Sequence, residues 1–285
     1  MLSSFSADRF DGWTQRFPSV IGLRAGSVRA GAEVTIEIVS GHAAIDRYLM
    51  NGYAKVKGMS SRFAAAICGH VIRLQSEHGV SGDMVEIGTF EGRFFIAMAL
   101  GLTAEEHALG IDRFDWPDDR VRTRLLENCK AMGLAPDRIE AWQQDSRALA
   151  PVELRKRVNG HGARFIHIDG DHTHEALAHD LELAHAALNE RGVIALDDML
   201  HPGYPTLITT VIEYLTRHSE MRVMCIIDRE DISAAAKFLI CRTDVADFYE
   251  RDLMQSFARF HFEPGARMMG HVTLVLTPEP RLAEI

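Results

Sequence analysis

Two apolar runs that each end in acid constrain this chain more than any other feature. Phe165-Ile166-His167-Ile168 precedes Asp169, and Val193-Ile194-Ala195-Leu196 precedes the adjacent pair Asp197 and Asp198. Short continuous apolar runs of this kind suit strands buried on both faces of a parallel sheet. The residues between them have the length of a helix, so the segment reads as a right-handed strand–helix–strand unit. All three acids then lie at the carboxyl edge of one sheet, where open α/β sheets bind ligands. Carboxylates gathered there repel one another unless a cation or a shared proton compensates them.

The same alternation runs through the middle of the chain. Strands are expected at 83–88, 107–111, 138–143, 164–169 and 192–197, and helices at 91–102, 118–132, 147–158 and 173–189. An amphipathic helix over 60–77 precedes them, with Phe63, Ala66, Ile67, Val71 and Leu74 recurring at helical spacing. Beyond residue 207 come a helix to 217, apolar runs at 221–227, 237–241 and 271–276, and a helix near 244–260. Strands arriving late in such a chain add an antiparallel edge. The expected fold is therefore α/β: a Rossmann-like, doubly wound, mostly parallel sheet with an antiparallel edge strand. Residues 1–55 show no helical period, although 34–39 alternate as a half-buried strand does. They read as an N-terminal extension, a cap or an oligomer contact, which allows a homodimer, and 56–285 read as the one main domain.

Composition narrows the function classes. The net charge of −9 argues against a nucleic-acid partner, which favours a basic surface. The cysteines, Cys68, Cys129, Cys225 and Cys241, have no CxxC spacing and read as small buried hydrophobes in a reducing compartment. No run has membrane-spanning length, and the first residues lack the pattern of a signal peptide. A cytoplasmic protein with no membrane partner is expected.

A second motif follows the first expected strand: Glu86-Ile87-Gly88-Thr89-Phe90-Glu91-Gly92. Gly88 and Gly92 flank a tight turn into a helix, and glycine lets a ligand approach the backbone closely. The pattern lacks the third glycine of GxGxxG, and its acids disfavour a phosphate, so a ligand with a cationic part suits it better. Asp112 ends the next strand 20 residues after Gly92, where an acid accepts hydrogen bonds from the hydroxyls of a ribose. Asp145 ends a further strand and is placed to meet an adenine amino group. Any one strand-end acid is more often a helix cap. Glycine turn, ribose acid and base acid in order make a joint argument.

These residues resemble the class I S-adenosylmethionine-dependent methyltransferases. The resemblance covers roughly residues 55–280 and implies a seven-stranded sheet with one antiparallel strand. It implies a cofactor site of Glu86, Gly88, Thr89, Phe90, Gly92, Asp112 and Asp145. The segment Ile168-Asp169-Gly170-Asp171-His172-Thr173-His174-Glu175, with His201-Pro202-Gly203-Tyr204-Pro205, is similar to the branch of macrolide-sugar O-methyltransferases and cephalosporin-hydroxylase-like proteins. That likeness implies Mg²⁺ or a similar divalent cation on Asp169, Asp197 and Asp198, and a small-molecule hydroxyl acceptor. Magnesium takes oxygen ligands and makes a bound hydroxyl more acidic. His172, three residues after Asp169, is the implied base, with an ordinary pKa suited to that task. Asp171 reads as the cap of the next helix, and Trp116, Trp142, Tyr204, Met268 and Met269 as pocket or core residues. A hydroxylase-like relative, or a non-catalytic nucleoside-binding module, would keep the same residues.

Overall fold

The computed structural model describes residues 38–279 apart from 159, 232, 263 and 264. Helix α1 (Ala43–Asn51) and a short 3-10 turn lead into α2 (Arg62–Glu77), whose first turn is capped by Ser61, its hydroxyl accepting from the Ala64 N–H at 3.0 Å. The alternating core follows as β1 (Asp83–Ile87), α3 (Arg93–Ala99), β2 (Ala108–Asp112), α4 (Val121–Ala131), β3 (Ile139–Gln143), α5 (Pro151–Arg157), β4 (Ala163–Ile168), α6 (His174–Ala187) and β5 (Leu188–Met199). The chain continues through α7 (Thr206–Arg217), β6 (Met221–Ile227), β7 (Ala236–Arg242), α8 (Thr243–Ser256), β8 (Ala266–Met268) and β9 (His271–Leu276).

The strands form one sheet in the order β3-β2-β1-β4-β5-β7-β6-β9-β8. β7 runs against β5 and β6, and β8 runs against β9; the other pairings are parallel. The fold is the expected doubly wound α/β sheet, with nine strands where seven were expected. The strands beyond the seven form the hairpin β8–β9, in which β9 is the apolar run expected at 271–276 and β8 was not expected. The hairpin turn is Met269-Gly270, both with positive φ (49° and 85°), as a two-residue type I′ turn requires. β7 is not at the edge: it lies between β5 and β6, and β8 is the antiparallel edge strand. The strand expected at 34–39 falls largely outside the described residues, and Ile38 and Val39 are in no strand.

Alternation along the strands divides the sheet into two faces. Val85 and Ile87, Ile166 and Ile168, and Ile194 and Leu196 join one apolar core with Leu154, Leu177, Leu181, Val211 and Tyr214 of α5, α6 and α7. The residues between them, Glu86, His167 and Ala195, point to the other face, where Phe94 of α3 stacks on His167. The amino ends of the strands are tied by Arg164, which is fully buried. Its guanidinium donates to the carbonyls of Ile72 and Gly101 and to Glu106 Oε2, each at 2.8–2.9 Å. Glu106 in turn accepts from the backbone of Gly82 and Thr103. All four cysteines are buried and free. Among the described residues no helix is long and apolar enough to cross a membrane.

The sheet order reverses direction at β1 and β4, so a crevice opens above their carboxyl ends. Asp180 of α6 supports one wall: a Cβ at Gly170 would stand 3.0 Å from its Oδ2. Burial pushes the Asp180 carboxyl up to about 6. The folded state thus favours the protonated acid. The resulting destabilisation sets in as pH rises above the ordinary carboxyl value and levels off above about 6. Asp180→Asn is expected to raise the unfolding midpoint by a few degrees at pH 8 and to leave it unchanged at pH 4, as read by thermal denaturation followed by circular dichroism.

Candidate active site

At the crevice, backbone meets backbone. Gly88 has φ +84°, and a Cβ there would sit 1.9 Å from the carbonyl oxygen of Asp169. The Gly88 N–H donates to Ile111 and the Asp169 N–H to Ile87 (2.9 and 2.8 Å). Gly92, with φ +91°, starts α3, and a Cβ on it would meet Leu125 at 2.4 Å. Between them, Phe90 also takes a positive φ of 49°. The loop keeps this shape through Asp112. Its Oδ2 accepts from the N–H groups of Thr89 (2.8 Å) and Phe90 (2.9 Å), and its Oδ1 from Phe114 (2.7 Å). A carboxylate has about four acceptor positions, so one remains, on Oδ1.

Gly88, Asp112 and Asp169 line an open cleft with Ile87, Ile111, Arg113, Asp115, Gln144, Ser146, Arg147 and Gly170. The cleft encloses about 590 Å³, open solvent at its mouth included. Of the expected cofactor residues, Gly88, Asp112 and Asp145 line it; Thr89, Phe90 and Gly92 shape the loop beside it. Asp145 caps the short turn Ser146–Ala148, and Arg147 grips it with both backbone and guanidinium (2.8–3.0 Å). The cap of α6 is Thr173; Asp171, expected there, stands exposed at the cleft, 3.8 Å from Arg147. Trp116 is 66% exposed and packs on Phe90.

Glu86 does not line the cleft. It is 2% exposed and belongs to a buried row that crosses four neighbouring strands: Glu86 on β1, His167 on β4, Asp197 on β5 and Lys237 on β7. Glu86 Oε1 lies 2.7 Å from His167 Nδ1, and His167 Nε2 lies 3.0 Å from Lys237 Nζ. An ammonium only donates, so Nε2 accepts and Nδ1 carries the proton given to Glu86. Lys237 Nζ also donates to Asp197 Oδ2 and stands 4.8 Å from the centre of the Phe94 ring. Burial drives the His167 imidazole well below and the Glu86 carboxyl well above their usual ranges. Burial also pulls the Lys237 ammonium down, but Asp197 and Asp169 outweigh it and hold the charge. Glu86 Oε2 has no hydrogen-bond partner among the described residues.

The three expected metal acids behave differently from one another. Asp197 faces Lys237, and its Oδ1 accepts the N–H of Asp198 at 2.8 Å. Adjacent strand residues point to opposite faces, and Asp198 departs further by taking φ +57°. Its carboxylate reaches His172, with Oδ2 2.6 Å from Nε2. That hydrogen bond raises His172; at Asp198 burial raises the carboxyl, but the bond together with the charges of His172, Lys237 and His201 lowers it overall. The imidazole lies against the ring of Tyr204, which also stacks on His201. Asp169 stands between the two pairs, and burial together with the Asp197 charge pushes its carboxyl well above the usual range. Asp169, His172 and Asp198 offer ligand atoms within 4.8 Å of one another, as do His167, Asp169 and Asp197. A hard cation suits the first group, which has two carboxylates and partial exposure. In the second group, Lys237 already stands against Asp197 and His167.

Lys237 and His167 escape a reading based on strand ends. Their signal in the sequence is a charged or polar residue inside an apolar run: Lys237 before Phe238-Leu239-Ile240, and His167 between Ile166 and Ile168.

Residues 85–199 match a family model described as a methyltransferase domain. No curated protein matches the chain. Among solved structures, a TDP-rhamnose 3′-O-methyltransferase of calicheamicin biosynthesis is 17% identical, with 69% of this chain and 86% of that chain covered at a TM-score of 0.50. An O-methyltransferase from Bacillus cereus in complex with SAH is 16% identical, covering 70% and 91% at 0.50. A protein from Klebsiella pneumoniae described as a putative O-methyltransferase is 20% identical, covering 70% and 89% at 0.50. At these identities the likeness is one of fold, and the family match spans residues 85–199 of the chain.

Gly88→Ala tests the crevice. The added methyl has no room against Asp169, so a loss of several kcal/mol in stability, or a misplaced loop with no ligand binding, is expected. Thermal unfolding and calorimetric titration with S-adenosylhomocysteine check it.

Proposed function

Building on the methyltransferase domain at 85–199, we propose that the protein transfers the methyl group of S-adenosylmethionine to a hydroxyl of a small molecule, with a divalent cation beside the acceptor. One observation carries this reading. Asp169 belongs both to the cleft at Gly88 and to the ion-sized group with His172 and Asp198, so a nucleoside site and a hydroxyl-activating site share one residue.

The residues suit the cofactor. The acceptor position left on Asp112 Oδ1 suits a ribose hydroxyl, and Gln144 and Ser146 line the same cleft. The unpartnered Oε2 of Glu86, behind the loop, suits the cationic part of the ligand. When bound, S-adenosylmethionine supplies an electrophilic methyl group. Asp169 and Asp198 would hold the cation, whose role is to orient the acceptor oxygen and make its proton more acidic. His172 would take that proton. An ionised carboxylate only accepts, so Nε2 carries the hydrogen donated to Asp198 and Nδ1 is the free basic atom. Asp198 and the Tyr204 ring hold the imidazole plane, and Asp198 stabilises the imidazolium that forms. Residues that position reactants in this way remove much of the entropic barrier.

Calorimetric titration with S-adenosylmethionine and S-adenosylhomocysteine tests the first step, and absence of binding to either would sink the proposal. Asp112→Ala is expected to weaken binding by about tenfold or more, through the lost acceptor and the loosened loop. Methyl transfer from labelled cofactor to catechols and sugar nucleotides tests the second step. His172→Ala is expected to lower kcat by about 10²–10⁴ while leaving cofactor affinity unchanged. Activity unaffected by that substitution would remove His172 from its role.

A further inference from the structure

The buried ammonium of Lys237 occupies the place beside Asp197 where a cation was expected. Lys237 is fully buried, and its three directions are taken by Asp197 Oδ2, by His167 Nε2 at 3.0 Å and by the face of Phe94, 4.8 Å from the ring centre. Both oxygens of Asp197 are already engaged: Oδ2 meets Lys237, and Oδ1 meets the N–H of Asp198. A second cation on Asp197 would stand next to the ammonium in a poorly solvated interior, where like charges repel strongly. Asp198 has turned away to His172, and Asp169 lies within reach of it.

We infer that Lys237 is a tethered counter-cation for the acid cluster, a positioning residue that holds Asp197 and keeps it out of the divalent cation's ligand set. The cation then meets Asp169 and Asp198, with the His172 imidazole alongside. Three carboxylates share one fixed positive charge, so the site binds its ion more weakly than three free acids would. Asp197 serves instead to seat the ammonium, and through His167 the same charge fixes the tautomer that faces Glu86. The inference rests on the proposed cation site and not on methyl transfer.

The test is Mn²⁺ binding to the full-length chain without cofactor, followed by calorimetry and by electron paramagnetic resonance. Asp198→Asn is expected to weaken binding by about tenfold or more, since a charged ligand is lost. Asp197→Asn keeps an oxygen for Lys237 and is expected to stay within about threefold of the parent protein. Lys237→Met removes the competing charge and is expected to tighten binding by about tenfold or more. Should Lys237→Met fail to fold, the contrast between the Asp197 and Asp198 variants still decides. Equal losses in those two variants, weaker or unchanged binding in Lys237→Met, or no Mn²⁺ binding to any variant would overturn the inference. Failure to bind S-adenosylmethionine would instead bring down the proposed function and leave these ion measurements standing.

Discussion

The centre of this molecule is organised around a positive charge that water does not reach. Lys237 stands inside the sheet, and an uncompensated ammonium there would cost several kcal/mol. Compensation comes from strands β4 and β5 and from helix α3, and His167 passes the contact on to β1. Each group sits at a particular register position, Glu86 directly opposite His167 in the β1–β4 pairing. A slip of one residue on any of these strands would turn its polar group to the apolar face and leave the ammonium unpaired. The charge therefore helps to select one alignment of the sheet at the end where the cleft opens.

Much of the architecture was legible because it rests on local pattern. The runs before Asp169 and Asp197 are apolar but for His167, and both are buried strands, with Asp169 just past the end of β4 and Asp197 and Asp198 near the end of β5. Gly88 was legible too, since a turn pressed against another backbone admits only glycine, and the structure shows that pressure from Asp169. What stayed hidden depends on partners far away in sequence. Nothing near Lys237 announces Asp197, 40 residues earlier. Asp197 and Asp198, read as one pair, take different directions through strand alternation and the positive φ of Asp198. The hairpin at Met269-Gly270 was missed because Met269 occupies a left-handed position that asparagine or aspartate more often marks.

The two ends of the sheet solve different problems with buried charge. At the amino ends, Arg164 and Glu106 satisfy carbonyls and amides of α2, the loop after α3 and the approach to β1, and this cluster lines no cleft with Asp169. At the carboxyl ends, the charges on Asp169, Asp198 and His172 are only partly enclosed. The first arrangement suits rigidity. The second leaves groups whose pairing a ligand can change, which is where chemistry in this fold class is found.

Asp112 carries one further consequence. Its carboxylate gathers the amides of Thr89, Phe90 and Phe114 before any ligand arrives, so the loop already has its final curve. The conformational freedom of those residues is surrendered while the chain folds, not when a ligand enters. Association at this cleft is thereby a matter of fit to a standing surface, and its speed is governed by access through the mouth and not by the closing of the loop.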